Sequence, residues 1–232
     1  MPRAAVLAFV VAGLAGGLPP AAADDPAPTA AEFRRSANTL KQIALAFHNY
    51  EAVTGAFPNN VYQDGKALLS WRVLILPYVE ETPLFNKLKL DEPWDGPANK
   101  ELIGQMPKLY APVRGKAKAG ETFYRGFESA RGPFGPKVGR GLRITGFPDG
   151  TSNTGLVYEA GEPVAWTKPD DLVLPEKGPL PKLGGMFGGV AQVALADGSV
   201  MRLRPDPDPA ELRKLIDPAD GEPIDLDKLR AR

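Results

Sequence analysis

The segment Ala37–Pro58, ANTLKQIALAFHNYEAVTGAFP, constrains the fold more than any other part of the chain. Just upstream, Thr29-Ala-Ala-Glu32 has the form of a capping box, in which the Thr hydroxyl accepts the Glu32 amide and the Glu carboxylate reaches back. Apolar residues then recur at Phe33, Ala37, Leu40, Ile43, Ala44, Phe47 and Tyr50, which is one stripe of an amphipathic helix. Arg34, Arg35, Lys41 and Asn49 fall largely on the other side, and Gly55 and Pro58 stop the helix. Such a helix has to lie against an apolar surface, most simply a sheet.

Ahead of it, Met1–Ala23 carries Arg3, an apolar run from Ala4 to Leu18, and the small residues Ala21-Ala22-Ala23 before Asp24-Asp25. That order is the layout of a secretory signal peptide. The apolar run falls short of the roughly 20 residues of a membrane-spanning helix. Cleavage after Ala23 is therefore expected, with 24–28 as a linker and 29–232 as one domain; a retained anchor is the competing reading. The expected location is periplasmic or secreted. The chain has no cysteine, so neither a disulfide nor a lipid-modified cysteine is available. Lys+Arg and Asp+Glu balance at 28 each, and without a basic stripe nucleic acid is not an expected partner. Twenty-five Gly and twenty-five Pro point to many turns.

Ser70 can cap a helix that Pro77 kinks or ends at Leu76, and Pro83–Leu88 and Pro97–Ile103 read as further short helices. After Tyr110 the texture changes. Thr122–Phe127, Gly141–Phe147 and Thr154–Ala160 are short, aromatic or β-branched and bounded by Gly and Pro, which predicts strands. Val190–Leu195 and Ser199–Leu203 flank Ala196-Asp197-Gly198, a hairpin signal. Asp208 then caps a last helix, Pro209–Ile216. Helices first and strands afterwards predict an α+β fold: an N-terminal helix on an antiparallel sheet, with short helices between helix and sheet and at the C-terminus.

Several of these segments together resemble the planctomycete pilin-like family of unknown function, domain of unknown function 1559. The matching pieces are Leu40-Lys-Gln-Ile43 with His48-Asn-Tyr50, Phe57-Pro58, Ser70-Trp-Arg-Val-Leu-Ile-Leu-Pro-Tyr78 and Leu90-Asp-Glu-Pro-Trp-Asp95. Met106-Pro107, Asp149-Gly-Thr-Ser-Asn-Thr154, Trp166-Thr-Lys-Pro-Asp170 and Ala196-Asp-Gly-Ser-Val200 continue the series in family order. The resemblance implies a pilin or pseudopilin-like fold and an exported, non-enzymatic domain with a structural or interaction role at the cell envelope. Envelope or surface proteins are the partners it implies. Two departures qualify it. The family commonly begins with a prepilin leader and a long apolar helix, where this chain has a short signal peptide and the polar Asp24–Thr29 link. No stable membrane anchor is then expected after cleavage. The family's H-x9-DG signature has Phe187 in place of its histidine, and its cysteine-proline is replaced by Tyr110-Ala-Pro112.

The candidate site residues lie in three loops. Asp149, Thr151 and Asn153 offer oxygen ligands of the kind Ca²⁺ takes, and some pseudopilins bind calcium in a loop. The same residues also make ordinary turns by bonding their own backbone. No other cofactor is implied. Trp94, Trp166 and Lys168 place aromatics beside a cation and carboxylates, which suits a small ligand or glycan. The competing reading has Trp166 capping the sheet edge and Lys168 paired with a nearby carboxylate. Asp91, Glu92 and Asp95 could serve acid–base work, or simply collect before a helix N-terminus. His48 is the only histidine, and no serine sits in a G-x-S-x-G pattern. Gly184–Gly189 lacks a phosphate-loop ending and reads as a flexible lead-in to the hairpin. No catalytic set is named. The alternative to the envelope role is a soluble binding module, with a hydrolase ranked last.

Overall fold

The structure, a computed structural model, describes residues 26–135 and 141–231. The expected signal peptide, its cleavage point after Ala23 and the first residues of the linker lie outside them. Helix α1 runs Ala30–Thr54. Thr29 Oγ1 accepts the Glu32 amide at 3.2 Å and Glu32 Oε2 accepts the Thr29 amide at 2.7 Å, so the capping box forms in both directions. Gly55 ends the helix at φ 81°, donating to Glu51 O at 2.7 Å. Thr29→Ala should cost about 1 kcal/mol in a denaturant melt, because one helix-end amide loses its acceptor. Proline 26 is itself tied down: Arg114 Nη2 donates to its carbonyl at 2.7 Å, and the same side chain pairs with Glu32 at 3.4 Å.

After α1 the chain makes a small hairpin, β1 (Val61–Gln63) and β2 (Lys66–Leu69), for which the sequence had suggested no strands. Asp64 and Gly65 both adopt positive φ, 50° and 74°, as a tight primed turn requires. Ser70 caps α2 (Trp71–Leu74), and Pro77 sits in the 3₁₀ turn Leu76–Val79 that follows. Short helices α3 (Thr82–Phe85) and α4 (Pro97–Lys100) complete the connection. Then come β3 (Glu121–Arg125), β4 (Phe127–Glu128), β5 (Gly155–Ala165), β6 (Leu172–Val173), β7 (Gln192–Leu195) and β8 (Val200–Arg202), with α5 (Pro209–Ile216) capped by Asp208.

The main sheet is antiparallel in the order β3-β5-β7-β8, with β5 as its long spine. β4 and β6 form a separate parallel pair. Strand alternation divides the core in two. Leu40, Ile43, Ala44 and Phe47 of α1 cluster with Val157 and Ala194 from one face. Tyr158, Val193 and Leu195 from the other face meet Leu212, Leu215 and Ile216 of α5. The result is the predicted α+β, pilin-like layout, a long N-terminal helix on a four-stranded antiparallel sheet. Among the described residues no helix is long and apolar enough to cross a membrane.

One predicted strand is absent. Gly141–Phe147 holds a 3₁₀ turn at Ile144–Gly146 instead. Its aromatic end is used in packing rather than pairing: Phe147 is buried against Phe57 at 5.5 Å, and the Leu142 carbonyl accepts the Phe57 amide at 2.7 Å. The sheet edge it might have joined is also taken, because side chains from α2 and the segment after β5 occupy the outer side of β3.

Candidate functional site

Arg72 and Asp171, both fully shielded at the side chain, form the centre of that edge. Ser70 positions Arg72 from the helix start: its hydroxyl accepts the Arg72 amide at 3.3 Å and Nη1 at 2.5 Å. Arg72 Nε then donates to the Tyr124 carbonyl of β3 at 2.8 Å, in place of a neighbouring strand. Asp171 Oδ1 accepts Trp71 Nε1 at 3.2 Å and the Gly126 amide at 2.9 Å; Oδ2 accepts Asn60 Nδ2 at 2.8 Å. Asn60 Oδ1 in turn accepts the Trp71 amide at 3.0 Å. Arg72 Nη2 lies 3.8 Å from Asp171 Oδ1, so the pair balances charge through space while each ion takes its hydrogen bonds elsewhere. Burial pulls the Arg72 pKa down to about 10, with Asp171 opposing, and the guanidinium stays charged at neutral pH. The Tyr110 hydroxyl donates to Arg72 O at 2.8 Å, and burial pushes its pKa up.

Above this core lies a polar surface cluster. Asp170 accepts Arg125 Nη2 and Lys168 Nζ, each at 2.7 Å. Partial burial raises the Asp170 pKa, but the Lys168 bond and the charges of Arg125 and Lys168 more than offset it and hold it below the usual carboxylate value. Lys168 Nζ stands 5.7 Å from the centre of the half-buried Trp94 ring. Thus the structure brings Trp94 and Lys168 together. Trp166 lies apart from them: it has no exposed surface, donates Nε1 to Ile103 O at 3.0 Å and stacks on Tyr110. The acidic loop around Trp94 is organised by the buried Asn99 amide, whose Nδ2 donates to Lys89 O, Glu92 O and Pro93 O.

The Asp149 loop leads into β5 through the 3₁₀ turn Thr151–Asn153. Its carboxylate accepts the amides of Asp220 at 2.9 Å and Gly221 at 3.2 Å, while Asn153 Nδ2 donates to Asp149 O at 2.9 Å. The Thr151 carbonyl accepts the Asp197 amide at 3.1 Å, and Thr154 O accepts Ala196 N at 2.8 Å, so two motif segments close on each other. Asp149, Thr151 and Asn153 do share one loop, but a cation there would compete with those amides for the Asp149 oxygens. Among the described residues no three His, Cys, Asp or Glu side chains stand close enough to hold a metal.

Phe187 is buried and stacks on Phe33 of α1 at 4.4 Å. The glycine run around it is a packed turn rather than a flexible lead-in. A Cβ on Gly185 would come within 2.0 Å of Gly161 O, and Gly184 at φ 74° accepts the Gly189 amide at 2.9 Å. His48 on α1 lies edge-on to Phe57 at 5.2 Å. Sequence reasoning gave no role to Arg72 or Asn60 and counted Asp171 only among the carboxylates near Trp166. The one local signal was Arg72, a charged residue set inside the apolar run Trp71–Leu76.

Asn60, Ser70, Trp71, Arg72 and Trp94, which build this edge, all fall inside one stretch that can be compared with known families. Residues 34–112 match the family SBP_bac_10, a protein of unknown function (DUF1559). The DUF1559 match begins in α1 and ends just after the 3₁₀ turn Lys108–Tyr110, so it covers the half of the junction that reaches toward β3. Comparison with curated proteins and with solved structures gave no match.

Proposed function

We propose that the protein is an exported, non-enzymatic pilin-like domain that acts through contacts at the cell envelope, in the periplasm or outside the cell. The observation that carries this reading is where the buried polar groups go. Arg72, Asp171, Asn60 and Asn99 are buried and bonded within the chain, and the Asp149 carboxylate is bonded to backbone amides. A catalytic acid, base or nucleophile has to face a cleft that substrate can enter. These groups therefore read as devices for holding a surface in shape. Export rests on the Met1–Ala23 pattern. Expression of the full chain in a bacterium with two membranes, followed by fractionation and intact-mass measurement, tests it. A soluble product beginning at Asp24 is expected; an intact N-terminus in the membrane fraction would contradict it.

One observation favours a second reading, a binding module for a small ligand or glycan: the Trp94 ring and the Lys168 ammonium meet at the surface beside Asp170 and Arg125. Under that reading, tryptophan fluorescence changes saturably with an oligosaccharide, and Trp94→Ala abolishes the change.

A further inference from the structure

Most of α1 meets the sheet through apolar side chains, but its first third does so through one buried polar cluster. Ser36 donates to Glu159 Oε1 and shares a 2.8 Å hydrogen bond with the Tyr124 hydroxyl. Glu159 Oε2 accepts the Gln192 amide at 2.7 Å. Gln192 Nε2 donates to Glu159 Oε1 at 3.2 Å and to Phe33 O of the helix at 3.1 Å. Four elements are joined this way: α1, β3, β5 and β7. The Glu159 side chain has no exposure, and among the described residues no cation comes within ion-pair distance of it. The charged and titratable groups that face the cluster are Arg202 on β8, Arg35 on α1 and Tyr124 on β3. Arg202 is held away from Glu159 over the Phe33 ring, at 4.0 Å from its centre.

We propose that this cluster is a proton-operated clasp: Glu159 takes up a single proton from solvent at the Ser36 contact, and its release loosens the first third of α1 from the sheet. Both states satisfy the line of hydroxyls. When Glu159 is ionised, Tyr124 donates to Ser36 and Ser36 donates to Oε1. When it is protonated, Oε1–H donates to Ser36, Ser36 donates to Tyr124, and the Tyr124 proton turns toward Thr39, the other hydroxyl that acts on it. Only O–H rotations separate the two arrangements. The ionised form leaves a carboxylate out of water with no ion pair, which is the costly member.

The direction follows. Burial pushes the Glu159 carboxyl up to about 7 from an ordinary value of 4.5, with Ser36, Gln192 and Arg202 offsetting part of the rise. The folded chain therefore holds this proton more tightly than the unfolded one. Its stabilisation is complete below the ordinary carboxylate value and is lost as pH rises through the folded one. The clasp is closed in mild acid and loosened in mild alkali. The segment it governs is the one tied to Pro26 through Arg114, where the chain enters the domain.

Hydrogen exchange followed by mass spectrometry at about pH 5.5 and about pH 8.5, corrected for intrinsic exchange, tests this. Protection of residues 30–38 should fall at least about tenfold more than that of α5 at the higher pH. Glu159→Gln, fixed in the neutral form, should show the same protection at both. Equal protection at both pH values in the wild type, or a pH-dependent loss that persists in Glu159→Gln, overturns the proposal. Should that variant not fold, the ¹³C carboxyl titration of Glu159 in the wild type decides. A midpoint above about pH 6 supports the clasp, and one below it refutes it.

Discussion

Asp171→Asn should lower the unfolding free energy by about 3–5 kcal/mol, the largest loss expected of any near-isosteric change in this protein. Two costs combine. The first is electrostatic: Arg72 would remain a buried cation with its counterion gone. The second is a mismatch of donors. Asp171 accepts on both oxygens, from Trp71 Nε1 and the Gly126 amide on one and from Asn60 Nδ2 on the other. An asparagine has to turn an NH₂ toward one of these donors, and Asn60 cannot simply flip, because its own Oδ1 already accepts the Trp71 amide. The neighbouring Asp170 makes a telling comparison. It has two ion-pair partners, but its side chain is 39% exposed. Asp170→Asn should cost no more than about 1 kcal/mol, since solvent screens such pairs. Urea melts of both variants check the contrast.

Phe47→Ala should cost about 3–5 kcal/mol. Phe47 is the hub of an aromatic cluster, with ring centres 4.9 Å from Trp71 and 6.0 Å from both Phe57 and Phe134. Its removal opens a cavity where α1, α2 and the loop after β4 converge, and all three elements are held by other contacts that limit collapse. Leu45, two residues earlier, is 60% exposed, and Leu45→Ala should change stability by less than about 0.5 kcal/mol. Together the pair asks whether α1 spends its apolar stripe on its own sheet. A comparable loss from Leu45→Ala would mean that the outer helix face is covered by something else in solution.

The elements that the sequence foretold best are those whose signals are local. The Thr29–Glu32 box, the Gly55 stop, the Asp197-Gly198 turn and the Asp208 cap each depend on a few adjacent residues, and each formed. The stripe on α1 marked its buried face well, with one exception. Ser36 looks like a solvent-facing residue in a helical pattern, yet it is fully buried, because Glu159 and Tyr124 wait for it from strands far along the chain. The β1–β2 hairpin escaped notice since its strands are three and four residues long and mixed in polarity. Gly141–Phe147 has strand composition but no free edge to join.

The site followed the same rule. Lys168 beside a carboxylate was readable from spacing, and so was a turn at Asp149. A packed Trp166 was one of the two readings its loop allowed, but that Trp94 would stay at the surface was not legible, for both sit in loops of similar composition. The Arg72–Asp171 junction was least legible. Its members lie about a hundred residues apart, and although Arg72 stands inside an apolar run, nothing in the Asp171 loop marks that carboxylate as its buried partner.

Whether the buried polar groups serve the fold is tested most directly by a double-mutant cycle on that junction, with Arg72→Met, Asp171→Leu and the double variant compared in urea. Each single change should cost about 3–5 kcal/mol, because it leaves one buried ion alone. The double variant should be more stable than the sum of the two losses predicts, by about 2 kcal/mol or more, because no uncompensated charge then remains. Losses that simply add, or single variants as stable as the wild type, would contradict a structural role for these residues.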